Sequence, residues 1–124
     1  MSTIKISITT DPEGKIKIGA IQSISIKEDG SSPKLEVSRM RIDRLKIGKI
    51  FADDDCLVKS QRYPFHILIE DESETQIIKT EIHNVWISSI ETSYKTGEWM
   101  LAEGVKMDAE SVSTTVNITS TEND

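Results

Sequence analysis

The chain has a single cysteine, Cys56, which excludes an internal disulfide, and with only two histidines it offers no zinc-type ligand spacing. Aromatic residues make up 5% of it, so any core must be assembled mainly from isoleucine, valine and leucine. Isoleucine dominates, and it favours extended backbone. No apolar run reaches the roughly eighteen residues that a membrane-spanning helix needs, and the N-terminus lacks a secretory-leader pattern, so neither membrane insertion nor Sec export is expected. A basic surplus is also missing: 15 Lys and Arg face 21 Asp and Glu, a formal charge of -6, which argues against gripping nucleic acid through its phosphates. There is no glycine-rich phosphate loop, nucleophile elbow or paired-cysteine motif, and no internal repeat. Catalysis, a cofactor and a metal therefore find no support in the sequence. At 124 residues and 13.9 kDa, one domain with one modest core is expected.

What is present is a stretch of β-prone residues from 83 to 107. Two runs flank a loop at 95–98 containing Gly97, the pattern of a long antiparallel hairpin. Closing that loop sets Tyr94 against Trp99, Thr92 against Leu101, Ile90 against Glu103, Ser88 against Val105 and Trp86 against Met107. Strand alternation puts these side chains on one mostly apolar face, and Trp86, Ile90, Tyr94, Trp99 and Leu101 are expected in the core. The opposite face, with Ser89, Glu91 and Ser93, is mixed and available for contact.

Before the hairpin, Ile4, Ile6 and Ile8 alternate with polar residues as a half-buried strand. A turn at Asp11-Pro12-Glu13-Gly14 leads into a strand over 15–27, where Gly19 marks a bend or bulge. Residues 28–34 read as an exposed loop, and 35–40 resume an extended path. From Asp43, an N-cap candidate, the spacing of Ile47, Ile50 and Phe51 predicts a short helix over 44–52. A loop runs to Pro64. Residues 65–70 form a strand, 71–75 an acidic loop, and 76–82 a strand continuous with the hairpin. Val112 and Val116 mark a last strand, and the polar residues 117–124 read as a flexible tail after a domain spanning 1–116. The sum is a mainly β chain, an antiparallel barrel or sandwich of six to seven strands with one short α-helix.

Few side chains carry chemistry. His66 and His83 read as ordinary strand histidines. Asp53, Asp54 and Asp55 cluster as a hard cation would want, without the alternate spacing, glycine and terminal glutamate of a calcium loop, and Cys56 has no neighbouring histidine to activate it. Arg39, Arg41, Arg44, Lys46 and Lys49 form a basic run inside an acidic chain. It complements the acidic loops of another copy, so charge pairing between subunits competes with a plain solvated face as its explanation.

The order of elements resembles the tail tube proteins of bacteriophages: an N-terminal hairpin with a long tip, the run Arg39-Met40-Arg41-Ile42-Asp43-Arg44-Leu45-Lys46-Ile47-Gly48-Lys49-Ile50-Phe51, then strands through Val85-Trp86-Ile87 and Thr96-Gly97-Glu98-Trp99-Met100-Leu101-Ala102-Glu103. Related folds occur in the inner tubes of contractile injection systems and in type VI secretion. The resemblance implies a small β-barrel assembling as stacked hexameric rings around an acidic channel, through which DNA passes without specific binding. It implies a virion protein made in the host cytoplasm, with tape measure, baseplate and sheath proteins as partners. Ser89, Glu91 and Ser93 are then candidates for the channel lining. Glu28, Asp29, Lys34, Arg39, Arg41, Arg44, Lys46 and Lys49 are candidates for inter-subunit contacts. A tube-initiator or baseplate ring protein of the same fold is the alternative, and a β-sandwich that holds a ligand near Trp86, Tyr94 and Trp99 is the next.

Overall fold

A computed structural model describes residues 3–52 and 58–118. It contains eight strands: β1 (Thr3–Thr9), β2 (Lys17–Ile21), β3 (Ile24–Lys27), β4 (Lys34–Asp43), β5 (Phe65–Glu72), β6 (Gln76–Thr96), β7 (Trp99–Asp108) and β8 (Ser111–Ile118). All pair antiparallel, in the order β2-β1-β5-β6-β7-β4, and a β2–β4 pairing closes these six into a barrel. β3 extends the sheet beyond β4, and β8 lies along β6, so both remain outside the closed ring. The β2–β4 seam is tight: a Cβ at Gly19 would collide with the carbonyl oxygen of Arg41, so only glycine lets the strands approach. The expected strand over 15–27 is thus two short ones, broken at Gln22 and Ser23, whose backbones stay bonded to Arg39 and Ser38 of β4.

Isoleucine is the commonest residue in the core. Ile8, Ile18, Ile42, Phe65, Ile67 and Ile82 are each at most 1% exposed, and no buried side-chain polar atom among the described residues lacks a partner. Burying a side chain of this size contributes about 1.5–3 kcal/mol, which is how a chain so poor in aromatics holds one barrel.

The 21-residue β6 organises the rest, as the sequence pattern anticipates. β7 and β8 follow one another along one of its edges, β7 on residues 86–96 and β8 on 76–83. β5 occupies the other edge only as far as Val85. The hairpin turn is Gly97-Glu98, with Thr96 opposite Trp99, so between the turn and Ser89 the pairing is two residues out of the expected register, while beyond Ser88, where Trp86 meets Asp108, it is one residue out. The two-residue slip preserves the faces, because side chains alternate with period two.

The core assignment fails for a different reason. On β4 the buried residues are Leu35 and Val37, then Met40 and Ile42; on β7 they are Met107 and Val105, then Ala102 and Met100. Both strands change the face they bury across the rung of Ser38 and Gly104, while the pairs Val37↔Val105 and Met40↔Ala102 stay in step. Gly104 sits there at φ 62°, a conformation that bends a strand sharply, and Ser88 is an extra residue on β6. Near the turn the core therefore holds Met100 and Ala102. Trp86 and Tyr94 are exposed, 41% and 54%, and Trp99 and Leu101 are half-buried. Ile90 is partly buried and packs against the core.

The expected helix over 44–52 is absent. Two successive turns, with N–H donated from Lys46 to the Asp43 carbonyl and from Ile50 to the Ile47 carbonyl, bury Ile47, Ile50 and Phe51. Gly48 has φ 60°, outside right-handed helical backbone, and Asp43 accepts from the Leu45 N–H as a turn residue instead of capping a helix. The described helical backbone is a single 3-10 turn, Val58–Ser60. Strand β8 runs two residues past the expected domain end, through Asn117 and Ile118, and 119–124 lie outside the described residues, as do Asp53, Asp54, Asp55 and Cys56.

Candidate assembly surfaces

The barrel leaves strand edges open. Residues 3–6 of β1 lie beyond its pairing with β2, and β8 pairs only with β6. A four-stranded sheet, here termed the wing, therefore projects from the barrel in the order β1-β5-β6-β8, with an edge on each side that is unpaired among the described residues. A second sheet, the arm, runs β6-β7-β4-β3, with open edges on residues 88–96 of β6 and on β3. Where β5 stops, the Gln61 side chain takes its place: its Oε1 accepts from the Ile87 N–H at 2.8 Å, and its Nε2 donates to the Val85 carbonyl at 2.9 Å. Beyond Ile87 neither β5 nor Gln61 covers this edge. Exposed edges of this kind are templates for pairing with another chain.

The wing has two unlike faces. One continues the barrel interior outward, rung by rung. The rung Ile8, Ile67, Ile82, Val112 is followed by Ile6, Ile69, Thr80, Thr114 and then Ile4, Asp71, Ile78, Val116. Exposure rises along it, from 0% at Ile8 to 60% at Ile4, 52% at Val116 and 77% at Ile118. The other face carries Lys5, Glu70 and Lys79 across one rung, opposite charges on neighbouring strands, and Lys17 reaches Glu70 at 3.6 Å.

On the arm, Arg41, Leu101 and Tyr94 share a rung, which Ala20 of β2 continues across the barrel seam. Arg41 stacks on Trp99, 4.9 Å from the ring centre. An open groove of about 310 Å³ lies beside it, with Ala20, Ile21, Met40 and Leu101 in its lining.

The structure distributes the residues singled out in the sequence. Ser89, Glu91 and Ser93 are exposed together on the open-edged part of β6, with Glu91 against Gly104. The basic run does not act as a unit. Lys34 pairs with Asp108 at 2.7 Å and Arg39 with Glu103 at 2.8 Å. Arg44 donates to the Gly97 carbonyl at 2.8 Å and so pins the hairpin turn. Lys46 and Lys49 are exposed on the turns after β4, and Glu28 and Asp29 on the β3–β4 tip, where Asp29 accepts from Ser31 and is held below the usual carboxylate range by those bonds.

One pair was not visible in the sequence. The rings of His66 and His83 meet edge to face at 5.5 Å, beside a bulge where Asn84 has φ 55°. The Asn84 N–H donates to His66 Nδ1, so this nitrogen is unprotonated. Burial first, and His83 second, push the His66 pKa below its ordinary 6.5, against the pull of Asp11 and Glu13. Two histidines on adjacent strands, eighteen residues apart, carry no local signal. Among the described residues no group of three or more His, Cys, Asp or Glu could hold a metal ion, and no helix is long and apolar enough to cross a membrane. No protein-family model, curated protein or solved structure matches the chain.

Proposed function

We propose that the chain is a structural subunit of a phage tail tube, assembling through its open sheet edges into stacked hexameric rings around a channel for DNA. The observation that carries this reading is the wing: a four-stranded sheet with an unpaired edge on each side and neither proline nor charge along β8, the devices by which solitary proteins blunt an edge. Joining the β8 edge of one copy to the β1 edge of the next satisfies both. Such a contact uses two different patches, so it propagates around a ring or along a filament instead of stopping at a dimer.

The formal charge of -6 supports a conduit for DNA, since carboxylates near the channel repel phosphates and let the polymer slide. Tape measure, baseplate and sheath proteins are the partners this role brings, in a virion tail. The subunit performs no chemistry in this role. A ring at one end of the tube, as initiator or baseplate component, uses the same contacts. The exposed Trp86 and Tyr94 favour a ligand-binding module as the second reading, and strong acrylamide quenching of tryptophan in the assembled protein would support it.

Negative-stain electron microscopy across a concentration series tests the first reading. Rings or tubes with a central hole are expected. A monodisperse monomer at high concentration and physiological salt overturns it.

A further inference from the structure

We infer that the apolar face of the wing is covered by the arm of a second copy, with Asp71 of one subunit meeting Arg41 of the other. This rests on the assembly reading and specifies one of its contacts. Two surfaces of the free subunit are left incomplete, and they are complementary. The wing face presents Ile4, Ile78, Val116 and Ile118 to solvent around Asp71, a half-buried carboxylate with no hydrogen bond or ion pair among the described residues. The arm presents Tyr94 and Leu101 around Arg41, whose guanidinium stacks on the Trp99 ring and forms no ion pair among the described residues.

Several nearby charges are already engaged or turned away. On the arm Arg39 is paired with Glu103. On the wing Lys5, Glu70 and Lys79 project from the opposite face. Asp71 and Arg41, neither in an ion pair among the described residues, thus each sit beside apolar groups, where a matching opposite charge fixes register and a like charge is strongly unfavourable. The groove beside Arg41 gives the wing's exposed isoleucines a recess to enter. Because wing and arm differ, the contact is heterologous and compatible with ring closure.

Charge reversal tests the pairing. Arg41→Glu and Asp71→Arg are each expected to raise the concentration for half-maximal assembly, read by light scattering and microscopy, at least tenfold, and the double variant to recover most of that loss. Ile118→Asp, at a position 77% exposed, should weaken assembly without unfolding the monomer by circular dichroism. Single variants that assemble like the parent, or a double variant no better than either single, overturn this contact while leaving the tube reading in place. A parent chain that never assembles overturns the tube reading itself.

Discussion

Two rungs of the same sheet, four residues apart on β1 and facing the same way, meet opposite fates. Ile8, Ile67 and Ile82 are at most 1% exposed, whereas Ile4 on the outer rung is 60% exposed and Val116, at the far edge of that rung, 52%. For Ile8 and Ile4, residue type, strand and face are the same. What differs is that β2 and β4 close over the inner rung and end before the outer one. Burial here is a property of closure, and the outer rung is a core face with no second layer. Such a face is solvated at a cost the isolated subunit bears and a neighbouring copy can remove.

The sharpest way to break the comparison is inside the barrel. Ile82→Ala should cost about 2–5 kcal/mol, because the surrounding strands cannot collapse into the space, and denaturant unfolding of dilute protein measures it. Next comes the place where β6 passes from one sheet to the other. Gln61→Ala removes the side chain that accepts from the Ile87 N–H and donates to the Val85 carbonyl, at roughly 1–3 kcal/mol for each group left unsatisfied. If Gln61→Ala is silent, water can reach that edge and the side chain is not a substitute strand.

A smaller effect follows from the histidines. Because His66 titrates below its ordinary 6.5 in the folded chain, the unfolded state binds the proton more readily. The stability His66 contributes is then complete above that value and is lost as pH falls through the depressed folded value. Protonating Nδ1 also displaces the Asn84 N–H. Melts between pH 7.5 and 5 should therefore fall more steeply for the parent than for His66→Gln. Parallel curves would show that the imidazole is not under this constraint.

Much of the fold is legible in the alternation of isoleucines: a mainly antiparallel β chain, the continuity of β6, the hairpin and the last strand follow from it, while barrel and sandwich stay undistinguished until the β2–β4 pairing is seen. Two features escape because they depend on breaks in alternation. Gly104 and Ser88 move the core from one parity to the other, so Trp99 and Leu101 read as core when Met100 and Ala102 hold that place. A glycine inside an apolar run is the signal that could have flagged this. The second is the segment after Asp43, where Ile47, Ile50 and Phe51 are buried as the helical spacing implies, but by two turns around Gly48. Spacing reports which side chains point inward and leaves open which backbone does it. The candidate surfaces were less legible. The basic run is adjacent in sequence, yet β4 alternation and partners from β7 disperse it, and Asp71 and Arg41 gain meaning only from the rungs they occupy.

The smallest expected effect on the monomer separates the two rungs most cleanly. Ile4→Thr keeps a β-branched strand former and removes apolar surface that the free subunit leaves in water. Unfolding free energy of the dilute chain should then change by no more than about 0.5 kcal/mol, as for ordinary surface positions, while assembly weakens measurably because the lost surface is the part a second copy would cover. A loss approaching that of Ile82→Ala would mean that the outer rung is already covered within the subunit. The wing would then belong to the folding core, and its isoleucines would have no contact left to make.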